Sequence, residues 1–262
     1  MNRTILTISA FDSSGADGIA ADLKTYQAFR VYGAAAVTAV GAQSTVGLQA
    51  LHPIPIEIMG QQIESVATDM PVHGVKLGLL PTAAHVEMVA TLLKALSLEK
   101  FLVVDPVLKS ESGVELLDPE AVEALKKNII PMAYVLTPNL EEAEILSGVP
   151  VKDMNGAKAA AKVIRELGCE NVVVTGGHLE GPRAMDLWYD GSHQRIFDGS
   201  KIVTRNTLGM GTTFASIVAA SLVKGLALGE CIEKAKQYIA KATQHPFEIG
   251  KGSGPLNHTV PM

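Results

Sequence analysis

Two cysteines, Cys169 and Cys231, are all that this chain of 262 residues carries. They are too few for a disulfide framework and fit a reducing compartment. Positive charge is also short: 22 Lys and Arg against 27 Asp and Glu leave a net charge of −5. That balance argues against electrostatic capture by nucleic acid or by an anionic membrane surface. No apolar run approaches the length of a membrane span. The strand-like stretch between Met1-Asn2-Arg3-Thr4 and Asp12 is too short for a signal-peptide core. Internal repeats, low-complexity linkers and composition breaks are lacking, and no His/Cys set has zinc spacing. With 47% hydrophobic residues the chain can still bury a sizeable core. The expectation is one cytoplasmic domain over residues 1–262, acting on small ligands.

Short β-branched runs alternate with longer helical stretches, the pattern of a mostly parallel sheet covered by helices on both faces. Strands are predicted at Ile5–Ser9, Ala35–Val40, Gly74–Leu79, Phe101–Val104, Tyr134–Leu136 and Val172–Thr175. Helices are predicted at Ile19–Phe29, Ile56–Asp69, Ala83–Leu96, Pro119–Asn128, Leu140–Leu146, Gly156–Leu167, Thr212–Lys224 and Leu228–Gln244. Between Ala184 and Thr204 the signal changes. Asp186–Tyr189, the turn Asp190-Gly191, and Gln194–Phe197 read as an antiparallel hairpin, so the sheet should be mixed at one edge.

The densest chemical signal is Gly209-Met210-Gly211-Thr212, a glycine turn running into a helix that ends at Lys224 before Gly225. Unpaired N–H groups at the positive end of a helix dipole, with glycines allowing close approach, suit a phosphate. An ordinary turn before a buried helix is the competing reading. Ligands of open parallel sheets bind beyond the carboxyl ends of the strands, which gives weight to polar residues just after strands. The loop Asp12–Gly18 suits a substrate-hugging turn or a plain βα connection. Lys76-Leu77-Gly78-Leu79-Leu80 reads as core. Asp105-Pro106 places a carboxylate where it could hold Mg²⁺ or act as a cap. Asn139 and Glu142 have the spacing of a metal or phosphate pair and equally of a capping box, and the two readings are compatible. Thr175-Gly176-Gly177-His178 leaves another strand, with His178 read as a loop or nucleotide-edge residue.

Taken in order, these segments resemble the hydroxymethylpyrimidine/phosphomethylpyrimidine kinases of the ribokinase-like superfamily, with pyridoxal kinases as relatives. The likeness runs through Asp12-Ser13-Ser14-Gly15, Ala21-Asp22-Leu23-Lys24-Thr25, Thr38-Ala39-Val40 with Ala42-Gln43, Val103–Val107, Thr137–Leu140, Gly176–Leu179, Asn206-Thr207 and the tail Gly252–His258. It implies a ribokinase-like three-layer α/β fold, ATP and Mg²⁺ as cofactors, and phosphorylation of the hydroxymethyl group of the thiamin pyrimidine and then of its monophosphate. A homodimer follows from the same resemblance. So do the residue roles: Asp22, Gln43, Leu79 and Leu80 on the substrate, Gln43 pairing with the aminopyrimidine; Asn139, Thr175 and Gly177 on ATP; Asp105 and Glu142 on the metal; Gly209, Gly211 and Thr212 at the reacting phosphate.

The chain departs from that pattern in three places. The family usually reads His-Gly-Thr-Gly-Cys where Leu208–Thr212 stands, and a threonine hydroxyl is a poor general base near neutral pH. Thr175 replaces a usual lysine. Ala10-Phe11 replaces Gly-Ser, and Asp17 stands where a small neutral residue is usual, adding a carboxylate toward the ATP phosphates. A slow kinase, a pyridoxal kinase and a catalytically silent pyrimidine-binding protein are the three readings these residues leave.

Overall fold

A computed structural model describes residues 3–110, 113–177 and 181–261. The strands are β1 (Thr4–Asp12), β2 (Tyr32–Ser44), β3 (Gly47–Pro53), β4 (Gly74–Leu77), β5 (Leu102–Val104), β6 (Val135–Leu136), β7 (Asn171–Val174), β8 (Arg183–Tyr189) and β9 (Gln194–Ser200). The helices are α1 (Gly18–Ala28), α2 (Ile56–Asp69), α3 (Ala83–Ala95), α4 (Pro119–Asn128), α5 (Leu140–Ser147), α6 (Met154–Glu166), α7 (Met210–Val223) and α8 (Leu228–Gln244). All strands join one sheet in the order β3-β2-β1-β4-β5-β6-β7-β8-β9. Pairing is parallel from β2 through β7 and antiparallel at β2–β3, β7–β8 and β8–β9.

The core lies in two layers, one on each face, as the pleat requires. Leu102 and Val104 of β5 join the apolar cluster under α2 to α6, whereas Val103 between them joins the cluster under α1, α7 and α8. Val172, Val173 and Val174 alternate in the same way. A strand buried on both faces can be apolar throughout, which is why these runs carry no polar residue. The α7 helix is buried on every side from Thr212 to Val223. Its small Ala and Ser residues let it lie close against β1, β4 and β5; a Cβ on Gly74 would come within 2.7 Å of Val223 Cγ1.

Two predicted features change. The sheet is mixed at both edges, because Gly47–Pro53 pairs antiparallel with β2. Most of β3 is exposed or half-buried, so it carries no long apolar signal. The helix expected from Thr212 begins at Met210, because Gly209 caps it in the left-handed conformation at φ 77°. Thr212 therefore sits in the third helical position, with its side chain buried against neighbouring elements.

Candidate active site

Parallel strands put the carboxyl ends of β1, β4, β5, β6 and β7 on one edge, where the chain must turn into its crossover helices. A cleft of about 1060 Å³ opens there, lined by Asp17, Asp105, Asn139, Glu142, Thr175 and the Gly209–Thr212 turn, with β9 and α8 forming another wall.

The loop after β1 is organised by one carboxylate. Asp12 accepts from Ser14 N at 2.7 Å, Ser14 Oγ at 2.6 Å, Ala16 N at 3.1 Å and Asp17 N at 2.9 Å. Asp17 in turn caps α1, its Oδ1 accepting from Gly18 N at 2.8 Å. Ser13 Oγ bonds both the N–H and the carbonyl of Gln43, at 2.9 and 2.8 Å. One hydrogen-bonded loop thus links the β2–β3 hairpin to the start of α1.

Against this loop packs the glycine turn. A Cβ on Gly209 would meet Ala16 O at 1.9 Å, so no other residue fits there. The Met210 N–H goes to the Thr207 carbonyl at 3.1 Å, and the Thr213 N–H returns to Gly209 O at 2.9 Å. The N–H groups of Gly211 and Thr212 between them have no acceptor among the described residues, as the first turn of a helix dictates. Nothing lies within 4 Å of where a Gly211 Cβ would be. An anion can therefore approach this backbone directly. The tail supports the turn from behind: Leu208 N donates to Gly254 O at 3.2 Å, and Thr213 Oγ1 lies 3.0 Å from His258 Nε2.

Beneath the turn is a buried charge cluster. Thr212 Oγ1 donates to Asp105 Oδ2 at 3.2 Å. Lys76 Nζ, wholly buried, lies 3.6 Å from that oxygen and 3.2 Å from Asp22 Oδ1. Burial opposes the charge on Lys76, but Asp22, Asp105 and Asp17 together outweigh it and hold its pKa above the ordinary value. Burial pushes Asp105 up to about 6, against the pull of Lys76. It pushes Asp17 up as well, with hydrogen bonding from the Thr212 side chain and Asp17's own backbone bond to Gly18 partly offsetting it. Glu142 rises to about 8 through burial and then through the charge of Asp105.

Asn139 and Glu142 form a complete capping box on α5: Asn139 Oδ1 accepts from Glu142 N and Glu142 Oε2 from Asn139 N, both at 2.9 Å. Both residues still line the cleft. Thr175 bridges to Asn139 and donates its N–H to Pro138 O at 2.9 Å, and Gly177 is open to the cleft. His178 lies outside the described residues.

The expected substrate residues gather less tightly. Leu79 and Leu80 are buried in the core, and Asp22 is wholly buried, bonded by Thr7 Oγ1 at 2.5 Å and by Ser216 Oγ. None of the three lines the large cleft, nor does half-buried Gln43. Asp22 holds Lys76 in place from inside the protein. Lys76 itself, which reads as core in sequence, is the cation of the cluster; the available signal was a lysine inside an otherwise apolar strand. The cations of the outer wall were missed too. Lys236 pairs with Asp186 at 2.6 Å, and Arg195 pairs with Glu233. They come from a helix and a strand far from the matched motifs.

Among the described residues no three His, Cys, Asp or Glu side chains converge as a metal cage. Two hard carboxylates, Asp105 and Glu142, line the same cleft, and the charge of Asp105 helps raise the pKa of Glu142. That set suits Mg²⁺, which binds through one or two carboxylates and fills its remaining positions with water and phosphate oxygens.

A three-layer α/β sheet with a glycine-capped helix at the carboxyl edge of its strands is an arrangement suited to a small-molecule phosphotransferase. The phosphomethylpyrimidine kinase family profile matches residues 12–257, and the chain belongs to that family. It is 39% identical over 261 residues to the hydroxymethylpyrimidine/phosphomethylpyrimidine kinase of Haemophilus influenzae, covering 98% of this chain and 96% of that one. It is 38% identical to the thiamine biosynthesis bifunctional protein ThiED of Geobacter sulfurreducens, of whose length it spans 52%. An ADP complex of Bacillus subtilis pyridoxal kinase superposes with a TM-score of 0.91 at 36% identity, covering 99% of this chain and 98% of the other.

Proposed function

We propose that this chain transfers the γ-phosphoryl group of ATP to the hydroxymethyl group of 4-amino-5-hydroxymethyl-2-methylpyrimidine, and then phosphorylates the resulting monophosphate. One observation carries the reading: the N–H groups of Gly211 and Thr212 open into a cleft that also presents Asp105, Glu142 and Asp17. Phosphoryl transfer asks mainly for positioning and for stabilisation of charge on the phosphate oxygens, and a helix start supplies both. Asn139, Thr175 and Gly177 line the same cleft and would flank the nucleotide. Asp105 and Glu142 would hold Mg²⁺, which when bound neutralises phosphate charge. Gln43, tied through Ser13 to the loop that carries Asp17, would read the aminopyrimidine edge.

The likeness to Bacillus subtilis pyridoxal kinase favours a second substrate, pyridoxal, in the same site. A coupled assay of ADP release decides, run with MgATP and each alcohol in turn. The pyrimidine should give the higher kcat/KM; turnover on pyridoxal alone reverses the order. Binding of the pyrimidine by calorimetry without any turnover makes the chain a silent binding protein. A cytoplasmic homodimer belongs to the same proposal, and two free, buried cysteines accord with a reducing compartment. Sedimentation equilibrium tests the dimer.

A further inference from the structure

An alcohol that attacks phosphorus must lose its proton, and the Thr212 hydroxyl, far from ionised at neutral pH, is unable to take it. Four carboxylates belong to the buried cluster or line the cleft beside it. Asp22 is sealed in the core, bonded by Thr7, Ser216 and Lys76. Asp105 is engaged by Lys76 and by Thr212 itself. Glu142 closes the capping box of α5. Asp17 lines the cleft beside the glycine turn, with Oδ1 taken by the Gly18 N–H.

Its position is fixed by the backbone. Asp12 holds its N–H, and its Oδ1 holds the Gly18 N–H. Its Cα would be 3.3 Å from a Cβ on Gly209, so the residue abuts the glycine turn. Asp17, Gly209, Gly211 and Thr212 line the same cleft. A phosphate seated on the Gly211 and Thr212 N–H groups would have this carboxylate beside it, on the element facing α7.

We propose that Asp17 is the proton acceptor of the transfer, acting from the N-cap of α1. The inference rests on the kinase reading above. In the step, the substrate O–H bond breaks and its proton passes to the Asp17 carboxylate. The oxygen's electron pair forms the bond to the γ-phosphorus, and the bond to the bridging oxygen breaks with its pair leaving on ADP. The N–H groups of Gly211 and Thr212 stabilise the charge spread over the transferring oxygens.

The test uses the full chain, with MgATP and whichever alcohol the wild type phosphorylates. Asp17→Asn keeps an oxygen for the Gly18 N–H, so a melt confirms folding. Its kcat should fall by about 10²- to 10⁴-fold, with KM for alcohol and MgATP within about threefold of wild type. Asp17→Ala should lose as much, and added formate should restore at least about tenfold of it where formamide does not. A kcat for Asp17→Asn within about threefold of wild type overturns the inference while leaving the kinase reading intact. A loss that formate leaves unrelieved also overturns it, and with a raised KM for MgATP it assigns Asp17 to holding phosphate or metal. If the wild type binds MgATP yet phosphorylates neither alcohol, the kinase reading fails first and the proton acceptor falls with it.

Discussion

Thr212 Oγ1 donates to Asp105 Oδ2 across 3.2 Å, joining residues 107 positions apart in sequence. Their contact ties the start of α7 to the end of β5 and sets the anion turn over the buried charge cluster. Thr212→Val should leave the backbone N–H groups in place while removing this hydroxyl from the Asp105 carboxylate. Stability should drop by about 1 to 3 kcal/mol, the cost of a buried acceptor left without its partner. A urea titration measures the drop, and MgATP affinity by calorimetry should change little.

The two glycines of the turn should respond in opposite ways. Gly209→Ala places a Cβ at φ 77° and 1.9 Å from a backbone oxygen. It should cost well over about 1 kcal/mol and lower the melting temperature. Gly211→Ala meets no protein atom and should melt like the wild type, yet its methyl group projects into the phosphate approach. Loss of MgATP binding at unchanged stability is the expected outcome; unchanged binding would move the phosphate elsewhere.

Glu142 makes stability depend on pH. Its folded pKa of about 8 lies above the ordinary 4.5, so the folded chain holds the proton more tightly than the unfolded chain. The contribution is complete below pH 4.5 and is lost as pH rises through about 8. Glu142→Gln keeps the capping geometry and removes the titration. Urea midpoints at acid, neutral and alkaline pH should decline for the wild type and stay flatter for the variant. Added Mg²⁺ should raise the wild-type midpoint at alkaline pH more than that of Glu142→Gln.

Lys76 is the ammonium that faces Asp22 and Asp105 inside the protein. Lys76→Met fills similar volume but strands both carboxylates, at a cost of about 3 to 5 kcal/mol. Double replacement of Lys76→Met with Asp22→Asn should recover part of that loss in the same denaturation experiment.

Gln43 is the residue on which substrate choice should turn. Gln43→Ala should weaken pyrimidine binding at least several-fold, since an unsatisfied polar edge costs about 1 to 3 kcal/mol. The melting temperature should hold, because the backbone groups of Gln43, not its side chain, bond Ser13. Equal pyrimidine affinity in calorimetry would take Gln43 out of the site.

Sequence by itself determined the alternation of strands and helices, the apolar runs of β5 and β7, the hairpin at β8–β9 and the glycine turn before α7. Each rests on local chemistry: pleat and helix periodicity, turn residues, and caps such as Asn139 with Glu142. β3 escaped because an exposed edge strand needs no apolar pattern to pair. The tertiary structure alone decided which polar residues meet. Asp17, Lys76, Asp105 and Thr212 lie at the N-cap of α1, on β4, at the exit of β5 and on α7, and no spacing rule connects them. Only the parallel order β1-β4-β5, with α7 packed across it, draws a cap, a strand lysine, a strand-exit aspartate and a helix threonine into one low-dielectric cluster. There burial and neighbouring charge, which no single stretch of sequence records, decide which side chain holds a proton.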